Sequence, residues 1–369
     1  MPNDKILFTP GPLTTSSTVK EAMLTDVGSR DKIFIETIEE IRNSLLSLAG
    51  VSKAGGYESI LIQGSGTFGL ESVISSIIPK KGKLLVVING AYGERILKIA
   101  KIHKIECVVF QTEENEVPPV PEIRANLEID KQITHIAVVH CETTTGIMNP
   151  VEEIGALSVK YNKILIVDAM SSFGAVPLNM TEAGIDCLIS SSNKCIEGVP
   201  GFSFVICRKE LLEKAKGNAD TLVLDLFDQW YGLEKDGQFR FTPPTHSLLA
   251  FRKALQELKS EGGPSGRARR YKVNNDFLID SMHDLGFIPY LGEKNRGYII
   301  TSFYYPEHPL FNFQEFYQFL SNQGYVIYPG KLSKVNCFRI GNIGRIGIKE
   351  IGGLIDSIIS YLDYYKFDL

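Results

Sequence analysis

One stretch of the sequence has the glycine spacing of a loop that holds a phosphate. Residues 63–72 read QGSGTFGLES, in which Gly64, Gly66 and Gly69 form the pattern G-x-G-x-x-G. An apolar run precedes this stretch and a helix-like run follows it. A helix start presents unpaired N–H groups and the positive end of a dipole, so the stretch predicts an anion site. A dinucleotide loop, plain turn glycines and the phosphate of another cofactor are all consistent with the pattern.

A dinucleotide site makes a second demand on the sequence. An acidic residue must follow about 20 residues later, at the end of the next strand, to hold the ribose hydroxyls. The next strand-like run is KLLVVI at 83–88, and the residues after it are Asn89, Gly90, Ala91 and Tyr92. Because no acid stands there, the sequence favours the phosphate of some other cofactor over a nicotinamide dinucleotide.

Two more residues stand where chemistry is common. Asp168 ends the apolar run KILIVD, at the edge where open α/β sheets collect ligand groups, although a buried aspartate there can also cap a turn. Lys194 lies in SSNK at 191–194, in a loop of small residues between two strand-like runs. Most lysines are solvated, but a lysine that loses its water in such a loop could act as an amine nucleophile.

Together these parts match the requirements of pyridoxal 5′-phosphate. The cofactor needs an anion cradle for its phosphate and an amine to hold its aldehyde. It also needs a carboxylate that keeps its pyridine nitrogen protonated, so that the ring can accept the electrons of a carbanion. A glycine loop, a strand-end aspartate and a loop lysine in this order are much less expected by chance than the glycine loop alone.

The bulk composition is that of a globular protein. The 369 residues include 44% hydrophobic and 22% charged residues, and the net charge is -4. A mildly acidic chain argues against nucleic acid as the main partner. The acid and the PGP in the first 13 residues argue against a signal peptide, and no apolar run is long enough for a membrane span. The six scattered cysteines show no metal-ligand spacing. We therefore predict a cytoplasmic enzyme without a membrane or metal partner.

The pattern of apolar runs predicts an α/β fold. Short β-rich runs alternate with helix-like stretches from residue 59 onward, and several runs are apolar at consecutive positions, as in strands buried on both faces. The runs lie at 59–62, 83–88, 106–110, 134–140, 163–168, 186–190 and 202–208. After about residue 240 a long amphipathic helix ends at paired glycines, and a smaller α+β unit follows. The basic run GRARRYK at 266–272 is interpreted as a solvated helix face.

The chain resembles the class V, fold type I aminotransferases, and among them the subfamily that transfers the amino group of 2-aminoethylphosphonate to pyruvate. The resemblance implies a large domain with a seven-stranded, mostly parallel sheet and a smaller α+β C-terminal domain. We place an N-terminal arm at 1–15, the large domain at 16–262 and the small domain at 263–369. The matching stretches are FTPGPLTTSSTVKEAML, LIQGSGTFGLESV, NGAYGER, VVHCETTTGIMNP, IVDAMSSFGAVP, SSNKCIEGVPGFSFVI, FTPPTHSLLAF, GYVIYPGK and CFRIGNIG.

The resemblance also implies a role for each site residue. Lys194 would hold the cofactor's aldehyde and then move a proton, and Asp168 would pair with the pyridinium nitrogen. Arg339 would bind the acidic group of the substrate. Cofactor contacts are implied for Ser65, Gly66 and Thr67 at the phosphate, Tyr92 on the ring, Thr144 at the phenolic oxygen, Ser192, Asn193, and Thr242 reaching the phosphate from the other subunit of a homodimer.

Some of these residues have ordinary structural alternatives. Tyr92 could be a half-buried aromatic at a helix start, Thr144 a turn hydroxyl, and Arg339 a strand arginine paired with a surface acid. His140 and His246 lie inside matching stretches, but we assign neither a catalytic role.

The resemblance fixes the cofactor better than the substrate. Where better-known members have an aromatic and acidic cluster, residues 25–35 read TDVGSRDKIFI, and Arg30 and Lys32 would make a more anionic or hydroxylated substrate suitable. The predicted reaction passes the amine of 2-aminoethylphosphonate to pyruvate, giving phosphonoacetaldehyde and L-alanine. A class V enzyme of the alanine:glyoxylate or serine:pyruvate type is the alternative, and an NAD-dependent oxidoreductase a distant one.

Overall fold

The computed structural model of the chain describes residues 4–330, 332 and 335–366. The strands are β1 (Ile6–Leu7), β2 (Tyr57–Gln63), β3 (Lys83–Ile88), β4 (Glu106–Gln111), β5 (His135–Val139), β6 (Cys141–Glu142), β7 (Ile147–Met148), β8 (Ile164–Asp168), β9 (Cys187–Ser191), β10 (Phe202–Arg208), β11 (Ile300–Tyr304), β12 (Tyr325–Val326), β13 (Tyr328–Pro329) and β14 (Cys337–Gly341). The α-helices are α1 (Ser17–Glu21), α2 (Lys32–Leu48), α3 (Gly66–Ile77), α4 (Ala91–Ile102), α5 (Val120–Ile129), α6 (Val151–Lys160), α7 (Lys209–Lys214), α8 (Leu226–Asp236), α9 (Thr245–Ser260), α10 (Gly263–Asp284), α11 (Phe313–Asn322) and α12 (Ile348–Tyr365).

A seven-stranded sheet with the order β2-β10-β9-β8-β5-β3-β4 forms the centre of the fold. Strand β10 runs antiparallel to both of its neighbours, and the other neighbouring pairs are parallel. Every position of β5 and of β9 is buried, because helices cover both faces of the sheet. Since β8 and β9 are parallel neighbours, their carboxyl ends bring Asp168 and the loop after Ser191 to one edge.

All seven strands predicted for the large sheet are confirmed, two of them with the predicted bounds at β3 and β10. The prediction missed α5, which follows β4 where only a polar segment was expected. That helix buries only Ile123 and Leu127, so its apolar pattern is weak. The predicted loop at 25–35 is also shorter than expected, because α2 already begins at Lys32.

The C-terminal part has its own small sheet and its own apolar core. The sheet order is β11-β14-β13, and both pairs are antiparallel. Apolar residues of α10, α11 and α12 pack together with Phe8 from the N-terminal arm, and β1 pairs with β12. The division of the chain at residues 15 and 262 stays our proposal.

The interpretation of the basic run as a solvated face is wrong for two of its arginines. Arg267 is 1% exposed, and the Arg270 side chain is 22% exposed. Their guanidinium groups pair with Glu197, after the lysine loop, and with Glu261, at the end of α9. These two carboxylates supply the opposite charge that a buried guanidinium requires.

Candidate active site

A cavity of about 190 Å³ lies at the carboxyl edge of the large sheet. The starts of α3 and α4 form one side of it, and the segments after β8 and β9 form the other. Seven residues predicted for the site line this cavity. They are Ser65, Gly66, Thr67, Tyr92, Asp168, Asn193 and Lys194.

The Lys194 side chain is held from the N-terminal arm. Its amine donates a hydrogen bond to the carbonyl oxygen of Pro10 over 2.6 Å. Gly11 lies so close that a β-carbon there would be 2.6 Å from the lysine Cδ. Burial lowers the pKa of the lysine amine, and the Tyr92 phenol and Asp168 oppose this only in part. The amine is therefore more readily neutral than a surface lysine.

Asp168 is a buried carboxyl that suits a positively charged ligand. Asp168 is 3% exposed, and the only hydrogen bond of its carboxylate within the described chain is accepted from the backbone N–H of Met170, over 3.0 Å. Burial raises its pKa to about 6, against the effects of the Met170 N–H, Arg95 and Lys194. A protonated ring nitrogen next to this carboxyl would stabilise its ionised form.

The start of α3 provides the anion cradle. Ser65 occupies the N-cap position, and its side chain makes no capping hydrogen bond, so the N–H groups at the helix start have no side-chain partner there. Gly66 permits a close approach to the segment after Asp168, because a β-carbon at this position would lie 2.1 Å from the Met170 Sδ. The cradle, the carboxyl and the amine therefore open into the same cavity.

Two predicted residues lie beside the cavity instead of lining it. Thr144 is buried, and its hydroxyl donates to Glu142 over 2.7 Å. Ser192 is also buried, and its hydroxyl donates to the Val199 carbonyl over 2.6 Å. Their cofactor contacts stay predictions.

Arg339 approaches the lysine from β14. Its Nε donates to the carbonyl oxygen of Pro329 over 3.0 Å, and its Nη1 donates to that of Thr143 over 2.9 Å. The side chain is 2% exposed, burial lowers its pKa, and its charge in turn lowers the pKa of Lys194. No ion pair between Arg339 and an acid occurs among the described residues, and the carbonyl groups of Pro329 and Thr143 hold the guanidinium instead.

Thr242 lies away from the cavity of its own chain. It is exposed, and Gln63 donates to its carbonyl oxygen over 3.3 Å. Arg30 and Thr242 line the same separate depression of about 340 Å³. Lys32 starts α2, where its exposed side chain pairs with Glu36 over 3.6 Å. The predicted influence of Arg30 and Lys32 on the substrate stays a prediction.

The sequence analysis missed some residues of the site. Arg95 lines the cavity, donates to the Thr67 hydroxyl over 3.2 Å and lies over the Tyr92 ring. Its position three residues after Tyr92, on the same helix face, is a signal that could have identified it. Four further lining residues carry no such signal, namely Leu70, Met170, Ser171 and Ser191.

The donor set fits pyridoxal 5′-phosphate, and comparison with known proteins leads to the same family. The family model named aminotransferase class V matches residues 14–346. The chain belongs to the class V aminotransferases. Its cofactor is pyridoxal 5′-phosphate, and the alternative of an NAD-dependent oxidoreductase is wrong.

Similar proteins have informative names. A 2-aminoethylphosphonate–pyruvate transaminase of Bacillus cereus (strain ATCC 10987 / NRS 248) is 51% identical over 357 residues, which cover 96% of this chain and 97% of the relative. A protein of the same name from Bacillus mycoides (strain KBAB4) is 52% identical over the same shares.

Solved structures share the fold. The alanine–glyoxylate aminotransferase of Nostoc sp. has a TM-score of 0.88 and 24% identity, covering 98% of this chain and 96% of that one. The ureidoglycine–glyoxylate aminotransferase of Bacillus subtilis has a TM-score of 0.87 and 22% identity, covering 96% and 93%. In the described part of the chain, no helix has the length and apolar character needed to cross a membrane.

Proposed function

We propose that this enzyme transfers the amino group of 2-aminoethylphosphonate to pyruvate, giving phosphonoacetaldehyde and L-alanine. The structural observation that carries the proposal is a buried guanidinium, Arg339, near enough to the cavity lysine for its charge to lower the pKa of the Lys194 amine. A planar guanidinium can bind either a phosphonate or a carboxylate, so one residue can serve both substrates. The names of relatives at 51% and 52% identity support the choice of the phosphonate.

Different residues around the cavity would bind different parts of the cofactor. Ser65, Gly66 and Thr67 would hold the cofactor phosphate, Tyr92 its ring and Asp168 its protonated nitrogen. When bound, pyridoxal 5′-phosphate supplies an electron-accepting ring that stabilises negative charge on the substrate carbon. Asn193 and Ser192 would keep the lysine loop against the cofactor.

Lys194 and Arg339 would act on the substrate. The carbonyls of Pro329 and Thr143 fix the guanidinium, and its remaining N–H groups would bind the acid end of the substrate. That contact would place the C–H bond to be broken within reach of Lys194. The neutral amine would take the proton from this carbon and later return a proton to the acceptor.

A spectral assay separates this proposal from other class V activities. The purified enzyme with its cofactor is mixed with 2-aminoethylphosphonate, L-alanine or L-serine in turn, and the visible absorbance of the lysine-bound cofactor is followed. We expect rapid loss of the band with the phosphonate and with alanine. Lys194→Ala cannot form this band, and we expect it to convert neither amine. Loss with alanine or serine but not with the phosphonate would keep the cofactor chemistry and contradict the substrate.

We also infer that the enzyme works as a homodimer in which Thr242 reaches the cofactor phosphate of the partner subunit. Support comes from the exposure of Thr242 outside its own cavity and from two exposed apolar side chains, Phe241 at 41% and Phe68 at 50%. Arg30 would then also face the partner's substrate. The cytoplasmic location is likewise proposed from the sequence.

Mixed dimers test the shared site. Lys194→Ala and Thr242→Ala chains are unfolded together, refolded as a mixture and assayed. If Thr242 acts across the interface, the mixed dimer contains one site with an intact lysine and an intact partner threonine, and activity returns. If Thr242 acts within its own chain, every site of the mixed dimer is defective and mixing restores nothing.

A further inference from the structure

A buried carboxyl group, that of Glu142, lies between two residues predicted to bind the cofactor. The side chain is 0% exposed. Its Oε2 accepts hydrogen bonds from the backbone N–H groups of Tyr92 and Gly93, over 3.2 and 3.3 Å. Its Oε1 accepts from the hydroxyl and the backbone N–H of Thr144, over 2.7 and 3.4 Å. Within the described chain it forms no ion pair with a cation.

The space for this carboxyl is built into the start of α4. A β-carbon on Gly90 would lie 2.5 Å from the Glu142 Cδ and 2.6 Å from the Thr144 hydroxyl oxygen. Only a glycine therefore leaves room for the two side chains to meet. The N–H groups and the dipole at the helix start partly balance the charge of the carboxyl when it is ionised.

The Thr144 hydroxyl has only one proton to donate. An ionised Glu142 can only accept, so it takes that hydrogen bond, and Thr144 then offers only its lone pairs to any other group. A protonated Glu142 can donate to the Thr144 oxygen instead. In that case the Thr144 proton becomes free to point elsewhere.

We propose that Glu142 is a positioning residue whose own proton decides whether Thr144 donates a hydrogen bond to the phenolic oxygen of the cofactor. The inference rests on the proposed role of Thr144 at that oxygen. The phenol of a 3-hydroxypyridine is acidic, so the bound oxygen carries negative charge and requires a donor. Thr144 serves as that donor only while Glu142 holds a proton.

The surroundings favour a proton on Glu142 near neutral pH. Burial raises the pKa of the carboxyl to about 7, the hydrogen bonds from Thr144 and Gly93 oppose this, and the charge of Asp168 adds to it. Asp168 is the charged group that acts on Glu142 directly. Other titratable or charged side chains on the elements around this segment include Tyr92, Glu94, Arg95, His140, Cys141, Lys194 and Arg339.

The affinity for pyridoxal 5′-phosphate as a function of pH tests the proposal. The dissociation constant is measured by absorbance titration of the cofactor-free protein between pH 6 and 9. We compare the wild type, Glu142→Gln, Thr144→Val and the double variant. The amide introduced by Glu142→Gln imitates the protonated acid, because it donates on one side and accepts on the other.

We expect the wild type to lose about tenfold more affinity than Glu142→Gln across this range, as for one charge-assisted hydrogen bond. With valine at position 144 the two profiles should coincide. The proposal would be overturned if the wild type and Glu142→Gln lost affinity equally as the pH rises. It would also be overturned if the two still differed when position 144 is valine.

Two further comparisons keep the result clear. If Glu142→Gln fails to fold, Thr144→Ser and Thr144→Val can be compared while Glu142 is kept. Only the serine variant should keep the wild-type dependence of cofactor affinity on pH. A wild type that binds no cofactor at any pH would instead contradict the proposed function, so the two failures are distinguishable.

Discussion

The amine of Lys194 and the carbonyl oxygen of Pro10 lie 2.6 Å apart, although the two residues are 184 positions apart in sequence. Gly11 leaves room for the same side chain, because a β-carbon there would lie 2.6 Å from the lysine Cδ and 3.1 Å from its Cε. The turn at Pro10 and Gly11 therefore positions the lysine side chain. It fixes the direction from which the amine reaches into the cavity.

The change Gly11→Ala should displace the lysine. The new β-carbon would lie 2.6 Å from the Lys194 Cδ and 2.8 Å from the Asn193 carbonyl oxygen, and the backbone φ of +113° disfavours alanine. A misplacement of about 1 Å can lower a rate about 100-fold. We expect a fall of that order in kcat, measured by steady-state kinetics.

Gly217→Ala is the matched control for Gly11→Ala. Gly217 also has a positive φ, +77°, but no atom lies within 4 Å of the point that a β-carbon on this residue would occupy. The change therefore also places an alanine at a positive φ, but away from the site, and should leave kcat unchanged. A Gly11→Ala enzyme with wild-type kcat would show that catalysis does not require the turn at Pro10 and Gly11 to position the lysine.

Replacing the strand-end acid should have opposite effects on catalysis and on stability. Asp168→Asn removes the charge that would hold the ring proton, and we expect kcat to fall about 100- to 1,000-fold. In the cofactor-free protein, burial raises the pKa of Asp168 from 3.8 to about 6, so the folded state retains a proton that the unfolded state has lost between these pH values.

The contribution of this group to the unfolding free energy of the cofactor-free wild type is about 3 kcal/mol at low pH and is lost as the pH rises through about 4 to 6, with about 2 kcal/mol of the loss between pH 4.5 and pH 8. Asp168→Asn lacks that loss and should become the more stable protein at pH 8. Urea unfolding at about pH 4.5 and pH 8 measures the difference. The exposed Asp280→Asn is the control, and equal pH dependence in all three proteins would contradict the burial argument.

Arg339→Lys should weaken substrate binding more than it slows later steps. Lysine keeps the positive charge but loses the planar fork and at least one of the bonds to Thr143 and Pro329. We expect KM for the phosphonate to rise about 10- to 100-fold, the effect of one hydrogen bond to a charged group. The exposed Arg345→Lys should behave as wild type. An unchanged KM in Arg339→Lys would remove this residue from the substrate site.

Breaking the buried ion network should loosen the lysine loop. Arg267 pairs with Glu197 and Glu261 and donates to the Cys195 carbonyl over 2.6 Å, next to Lys194. Arg267→Met leaves the two carboxylates of Glu197 and Glu261 with a single guanidinium, that of Arg270, and the unfolding free energy should fall by about 3 kcal/mol.

Cofactor affinity should fall together with stability in Arg267→Met, because Cys195 adjoins the lysine. Arg269→Met, on the same helix but exposed, should change the unfolding free energy by less than about 0.5 kcal/mol. If the two variants unfold alike in urea, the network does not support the loop.

The sequence was sufficient to predict the strands of the large sheet, because strands buried on both faces appear as consecutive apolar residues. It was also sufficient to predict that Asp168 and Lys194 lie together, since parallel strands end at one edge. It could not predict the burial of Arg267, because the opposing charge of Glu197 lies in a distant loop.

Residues of the site were missed where their role comes from a partner that is remote in sequence. In the sequence Glu142 is a single acidic residue that precedes three threonines. Its role depends on a hydrogen bond from the start of α4 at Tyr92, 50 positions away. Pro10 contributes a backbone carbonyl, which no side-chain pattern can reveal. Thr144 was identified from the resemblance, but its hydrogen bond to Glu142 required the structure.

The pairing of β1 with β12 has a consequence for how the enzyme is made. The arm that holds the lysine is translated long before its partners in β12 and at Gly341, which lie near the end of the described chain. At the usual rate of translation, synthesis of these partners follows that of the arm by on the order of 15 to 60 seconds. Catalytic competence is therefore among the last properties that the nascent chain acquires.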